Sequence, residues 1–171
     1  MDEDFIINKV AESGLITFNL EEYYTPGDRV LFDVKDYLFQ GIILKEKTFR
    51  TSLQTIDWGG YHKKYVAIFC TTDAIIPTWA YMLVATYLEP FAKKIIFGNL
   101  STLETILFAE TLSNINLEIY RNERVIIKGC SQVPVPEFAY VEITRLLKPL
   151  VKSLMFGEAC STVPLYKKSK A

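Results

Sequence analysis

Short apolar runs alternate with amphipathic stretches along most of this chain. Runs rich in β-branched and aromatic residues and bounded by turn residues predict strands, and apolar residues at helical spacing predict helices. One predicted helix begins at Pro77 and ends near Pro90, because proline suits the first turn of a helix and interrupts its interior. The other predicted elements are helices over 42–56, 102–113 and 136–152, and strands over 29–34, 66–70, 95–97, 125–129 and 154–156.

The pattern repeats at one constant offset without a gap, so that positions 65–98 align with positions 124–157 (124 − 65 = 59). This much identity at one offset indicates a duplicated supersecondary unit. The identical pairs include Val66/Val125, Ile68/Ile127, Pro77/Pro136, Tyr81/Tyr140, Phe97/Phe156 and Gly98/Gly157, and weaker similarity continues upstream from Leu44/Leu103.

Strands that alternate with helices of ten or more residues indicate βαβ crossovers. We therefore predict an α/β fold in which a mainly parallel sheet packs against helices. Residues 1–171 form a single domain of two repeated βαβα units, 37–98 and 96–157, and Val66 should superpose on Val125. An N-terminal segment, 1–28, and a C-terminal tail, 158–171, lie outside the repeat, and the basic end of that tail is predicted to be solvated.

The two repeated helices differ in polarity. The second one alternates apolar and charged residues, as a half-exposed surface helix does, whereas the first is apolar nearly all round. A helix of that kind must be covered on two sides. We expect either a homodimer or the N-terminal segment to cover the surface formed by Trp79, Tyr81, Met82 and Leu83.

The composition is that of an ordinary globular protein. Half of the residues are apolar, 23% are charged and the net charge is −1, which leaves no field for binding nucleic acid. The run between Lys64 and Glu89 is long enough to cross a bilayer, but its second copy is amphipathic, so we expect no membrane span. The acidic start is unlike a secretory leader, and three widely spaced cysteines make no disulfide framework, which predicts a cytoplasmic protein.

All three cysteines fall at the ends of predicted strands, at the edge where open parallel sheets bind ligands. Cys70, Cys130 and Cys160, together with Asp73, are therefore candidate ligands for a metal ion or an iron–sulfur cluster. The alternatives are that the cysteines only pack in the core, as free cysteines commonly do, or that one is a nucleophile. No CxxC spacing distinguishes these alternatives.

The single histidine, His62, precedes the strand that begins at Val66 and should therefore lie at the opposite edge from the cysteines. Dyads and triads that need a histidine base beside a cysteine or serine are disfavoured within one subunit for this reason. Neither glycine-rich phosphate-binding motif occurs in the sequence.

Five longer strings are similar to a known family: NKVAESGLITFNLEEYY, DVKDYLFQGIILKEKTFR, DAIIPTWAYML, IKGCSQVPVP and MFGEACSTVPLYKK. Together they resemble a family of short bacterial proteins catalogued as domain of unknown function 2480, over nearly the whole chain. Asn19 stands where this resemblance leads us to expect an acidic residue. The resemblance implies no established activity. It implies a link with iron–sulfur cluster assembly, which favours a thiol or metal role for Cys70, Cys130 and Cys160.

Three functions are compatible with these observations. The first is a non-catalytic cytoplasmic accessory protein that binds a partner or a small ligand, with a link to iron–sulfur assembly. The second is an enzyme that uses a cysteine nucleophile or a metal held by the cysteines and Asp73. The third is a structural interaction module without a ligand.

Overall fold

The computed structural model describes residues 14–129, 132–158 and 160–169. Strands and helices alternate over most of this part of the chain, so the predicted α/β class is confirmed. The strands are β1 (Leu15–Asn19), β2 (Arg29–Asp33), β3 (Tyr65–Phe69), β4 (Lys94–Phe97), β5 (Arg124–Lys128), β6 (Ser153–Glu158) and β7 (Ser161–Lys167). The helices are α1 (Glu46–Gln54), α2 (Thr78–Leu88), α3 (Leu100–Ser113) and α4 (Glu137–Leu147).

The strands are divided between two sheets, a division that the sequence pattern did not predict. One sheet has the order β2-β3-β4, and all of its pairs are parallel. The other has the order β1-β5-β6-β7, in which only β7 runs antiparallel to its neighbour. The expectation of mainly parallel strands therefore holds within each sheet.

Contacts divide the chain into two compact units, and the sequence of one interrupts that of the other. The continuous unit comprises Pro26–Ile106, and the discontinuous unit comprises Met1–Thr25 with Leu107–Ala171. Each unit contains one sheet. The single-domain organisation stays a prediction.

Corresponding elements recur at the spacing of the sequence repeat. The offset from the start of β3 to the start of β5 (124 − 65) equals the offset from the start of α2 to the start of α4 (137 − 78). The buried positions of the two helices also correspond: Ala80, Val84 and Leu88 in α2, and Ala139, Ile143 and Leu147 in α4. Because burial follows the same positions in both copies, each helix packs on its own sheet through the same face. The superposition of the two halves stays a prediction.

The N-terminal segment contains a strand that the sequence pattern did not predict. β1 pairs with β5 in the same way as β2 pairs with β3. Positions 15–24 therefore correspond to positions 29–38, at an offset that is shorter than that of the main repeat (29 − 15). Asn19 and Asp33 occupy equivalent positions, and each side chain accepts a hydrogen bond from the backbone amide two residues later. The longer offset of the main repeat does not align these two segments, so it gave no sign that the N-terminal segment contains a strand.

Most of the C-terminal tail is a strand that the sequence pattern did not predict. The prediction of a solvated end concerned only the basic part, 166–171, of which the described residues 167–169 are exposed. β7 pairs with β6 from Glu158↔Ser161 to Ser153↔Lys167, with a bulge near Leu154. The hydrophobic pattern of β7 is interrupted by Pro164, a residue that is tolerated in strands mainly at edges and bulges. The tertiary pairing with β6 therefore outweighed the weak local signal.

Each unit has its own apolar core. In the continuous unit, Trp58 stacks on Phe32 and on Tyr87, with ring centroids 5.7 and 5.0 Å apart, and its indole N–H donates to the Leu53 carbonyl. In the discontinuous unit, Phe18 stacks on Tyr23 at 4.8 Å. None of the described helices is long and apolar enough to cross a membrane.

Candidate functional site

The carboxyl edge of the three-stranded sheet carries a cluster of polar groups in the continuous unit. β2 ends at Asp33, and Cys70 follows the last residue of β3. Because β2 and β3 are parallel, both residues lie at the same edge of the sheet. Ligands bind at this edge in open parallel sheets, since loops and helix N-termini converge there.

Asp33 is held in place by several hydrogen bonds. Its carboxylate accepts from the Thr71 hydroxyl at 2.5 Å and from the backbone amides of Thr71 and Lys35 at 3.1 and 3.0 Å. The Lys35 ammonium lies 3.2 Å away. Burial by itself would raise the pKa of Asp33, but these hydrogen bonds outweigh burial and lower the pKa below its ordinary value of 3.8. The carboxylate is therefore an anion that fixes the loop after β3.

Cys70 and Tyr81 lie beside this carboxylate. The Cys70 residue is only 8% exposed, and its Sγ lies 3.3 Å from the Thr72 hydroxyl. Burial raises the pKa of Tyr81, and the negative charges that Cys70 and Asp33 can carry raise it further. Tyr81 is thus a neutral hydroxyl donor at neutral pH, located where α2 meets the end of the sheet.

An apolar groove begins at Tyr81 and runs between α2 and the sheet. Its volume is about 450 Å³. Tyr81 and Phe97 meet edge to face, with ring centroids 5.0 Å apart. The groove is lined by Ile68, Thr78, Tyr81, Met82, Ala85 and Phe97. We refer to it as the α2 groove.

The discontinuous unit has an equivalent groove between α4 and its own sheet, with a volume of about 650 Å³. Tyr140 and Phe156 repeat the edge-to-face contact at 5.7 Å. Leu165 of β7 adds a further wall. Each residue that lines the α2 groove has its counterpart here at the repeat offset, and these counterparts are Ile127, Glu137, Tyr140, Val141, Thr144 and Phe156. We refer to this second site as the α4 groove.

Both grooves have the size and the apolar lining of small-molecule sites, which occupy roughly 300–1,000 Å³ in most proteins. They differ at their polar positions. Glu137 places a carboxylate in the α4 groove where the α2 groove has Thr78. Conversely, Gly129 stands at the position that Cys70 occupies in the continuous unit, where an added Cβ would lie 2.9 Å from the Tyr140 hydroxyl. Of the two equivalent positions, Cys70 and Gly129, only the one in the continuous unit therefore has a thiol near its groove.

The structure describes three of the four predicted metal ligands. Cys70 and Asp73 belong to the continuous unit, and Asp73 is exposed beside Ala74 and Ile75. Cys160 is exposed in the turn between β6 and β7, in the discontinuous unit. Cys130 lies outside the described residues.

Within the described ranges, no three histidine, cysteine or acidic side chains converge as metal ligands would. The metal set of Cys70, Asp73, Cys130 and Cys160 stays a prediction. As expected, His62 precedes β3 and Cys70 follows it, so the two lie at opposite ends of that strand.

Neither Asp33 nor the two grooves was predicted from the sequence. A signal for the grooves was present, because Tyr81/Tyr140 and Phe97/Phe156 are identical aromatic pairs of the repeat. The signal was ambiguous because a duplicated unit repeats the aromatic residues of its core as well as those of a binding site. Asp33 gave no signal, since its role depends on Thr71, which is distant in the sequence.

A family model described as "Protein of unknown function (DUF2480)" matches residues 4–168. No curated protein and no solved structure matches the chain.

Proposed function

We propose that this chain, which belongs to the DUF2480 family of proteins of unknown function, is a non-catalytic cytoplasmic protein that binds small apolar ligands in its two grooves. One observation carries the proposal: all six residues that line the α2 groove have counterparts in the α4 groove. A duplicated unit that keeps an apolar groove in both copies is readily explained if the groove itself is used.

The lining favours ligands that are mostly apolar. The rings of Phe97 and Phe156 meet those of Tyr81 and Tyr140 edge to face, so aromatic carbon forms part of the lining in both grooves. Glu137 disfavours an anionic ligand in the α4 groove because like charges repel, and its exposure to solvent makes this repulsion modest. The α2 groove has no such restriction from Thr78, so we expect the two grooves to differ in ligand charge.

A non-catalytic role is supported by how the nearby polar groups are used. The Asp33 carboxylate is already bonded to Thr71 and Lys35, and a general base needs a free position for the proton of a substrate. His62 lies at the opposite end of β3 from Cys70 and cannot act as a base for its thiol.

A neutral apolar dye, N-phenyl-1-naphthylamine, provides the test. We expect two dye molecules to bind per wild-type chain, one in each groove, and we expect Met82→Glu and Val141→Glu each to weaken binding in one groove only. Both side chains line a groove and are well exposed, so the variants should fold. A carboxylate in an apolar groove should weaken binding there by about tenfold or more. Fluorescence titration measures both stoichiometry and affinity.

Thr86→Glu is the matched control, because Thr86 is exposed on α2 but does not line the groove. It should leave both dye sites intact. If the double variant Met82→Glu/Val141→Glu still binds the dye as the wild type does, the grooves are not the binding sites and the proposal is wrong.

A thiol or metal role linked to iron–sulfur assembly is the second candidate, favoured by the position of Cys70 at the ligand-binding edge beside Asp33 and Tyr81. This hypothesis predicts that protein purified without oxygen contains iron and acid-labile sulfide, and that Cys70→Ser lowers both. Elemental and sulfide analysis measures them, with the exposed Cys160 replaced by serine for comparison. Wild-type protein without iron would contradict the hypothesis.

A further inference from the structure

The α4 groove has a single carboxylate at its rim, that of Glu137. Among the described residues that line this groove, Glu137 is the only one with a carboxylate, ammonium or guanidinium group, and the α2 groove has the uncharged Thr78 at the same position. In the described part of the chain no basic side chain pairs with Glu137, whereas Glu142 on the same helix is paired with Arg145 at 2.6 Å. The described protein groups therefore leave the charge of Glu137 for a ligand.

The residues of α4 that border the groove form one stripe along the helix. Their spacing of three and four residues places them on one face, and they are Glu137, Tyr140, Val141 and Thr144. At the rise of an α-helix this stripe is about 10 Å long. Since Glu137 is the first residue of α4, the carboxylate lies at one end of the stripe and not in its middle.

Beyond Glu137 the groove offers apolar surface that a ligand can cover. Val141 of α4 is 70% exposed, Leu165 of β7 is 50% exposed and Phe156 of β6 is 43% exposed. All three side chains line the groove. Because the removal of apolar surface from water is favourable, this part of the groove suits an apolar chain.

We propose that the ligand of the α4 groove is an amphiphilic amine whose ammonium group lies against Glu137. Its apolar chain lies along Val141, Phe156 and Leu165. This assignment rests on the function proposed above and adds the chemical class of the ligand. An ammonium group supplies the charge opposite to a carboxylate and donates hydrogen bonds to it. An apolar acid would instead bring a second negative charge to Glu137.

The ion pair selects the ligand, and the apolar chain provides most of the affinity. Glu137 is exposed, so water and salt screen the pair, which should improve binding by about threefold to fivefold. The N-terminus of a helix carries about half of one positive elementary charge, which offsets only part of the charge of the carboxylate. The α2 groove, with Thr78 at this position, should not distinguish an amine from an alcohol.

Displacement of N-phenyl-1-naphthylamine by octylamine and by octan-1-ol tests the assignment, because the two molecules share one apolar chain and differ in charge. In the wild type, we expect octylamine to release about half of the bound dye, that of the α4 groove, at a concentration about threefold to fivefold lower than octan-1-ol does. Octanoate should show no such advantage. Concentrated salt should reduce the preference for octylamine, since it screens an exposed ion pair.

The repeat provides two matched variants. Glu137→Gln keeps the size of the side chain and removes its charge, so the preference for octylamine should disappear. Thr78→Glu places a carboxylate at the equivalent position of the α2 groove, and the preference should then extend to all of the bound dye. Both positions are exposed, so the variants should fold, and circular dichroism verifies this.

Equal displacement by octylamine and octan-1-ol in the wild type would overturn the assignment, and so would a preference that persists in Glu137→Gln. Dye binding separates this failure from failure of the proposed function. Wild-type protein that binds two dye molecules without preferring octylamine keeps its grooves as apolar sites that do not select charge. Protein that binds neither the dye nor octylamine, the latter measured by calorimetry, contradicts both proposals.

Discussion

Replacing Leu88 with alanine is expected to lower the free energy of unfolding by about 2–5 kcal/mol. Leu88 is fully buried at the end of α2, in the apolar core of the continuous unit. The loss combines the apolar transfer energy of the missing methyl groups with the cavity that they leave. Urea denaturation followed by circular dichroism measures the change.

The repeat provides a matched variant in the other unit. Leu147 is fully buried at the same position of α4, and Leu147→Ala should have a similar effect in its own core. Met82→Ala, at an exposed position on α2, should change stability by less than about 0.5 kcal/mol. Equal losses for Leu88→Ala and Met82→Ala would contradict the packing of α2 described above.

The same pair of variants tests the single-domain prediction. If the two compact units unfold together, both leucine variants should shift one common transition. If the units unfold separately, Leu88→Ala should shift the transition of the continuous unit, and Leu147→Ala should shift the other. Two independent transitions in the wild type would show that the prediction was wrong.

Replacing Gly157 with alanine is expected to destabilise the discontinuous unit by about 2–4 kcal/mol, through backbone strain and steric overlap. Gly157 has φ of 114°, a conformation that residues with a side chain rarely adopt. An added Cβ would lie 2.7 Å from the backbone oxygen of Ser161 in the opposite strand. Because that oxygen belongs to the β6–β7 hairpin, relief requires the two strands to separate.

This substitution should also affect the α4 groove. If β7 moves away from β6, Leu165 no longer forms its wall, and dye binding should be lost there while the α2 groove keeps its dye. Gly41→Ala is the control, because Gly41 also has a positive φ, 71°, but nothing lies within 4 Å of the added Cβ. We expect it to cost only about 1–2 kcal/mol. An equally small loss for Gly157→Ala would contradict the hairpin geometry.

The central strands and the two repeated helices could be predicted from the sequence because their signals are local. β3 is a continuous apolar run, and β5 contains one between its charged end residues, Arg124 and Lys128, as expected of parallel strands buried on both faces. α2 and α4 begin directly after Pro77 and Pro136, where proline favours the start of a helix. The constant offset of the repeat then related these elements without any knowledge of their packing.

The edge strands could not be predicted with the same method. β1 is a short run whose partner, β5, lies far along the chain in the second half of the sequence, so its pairing cannot be read from neighbouring residues. β7 contains a proline and a bulge and is held by β6. Strand formation at such positions depends on a partner that already exists, which is a property of the tertiary structure.

The sequence by itself thus determined the α/β class, the duplication and the edge of the sheet at which Cys70 lies, because each follows from local periodicity or from the shared direction of parallel strands. Only the tertiary structure decided that the strands form two sheets, that Asp33 is bonded to Thr71, and that β7 covers β6. These features join residues that are distant in the chain. Their formation depends on which edges and faces meet, and no local pattern of residues records that.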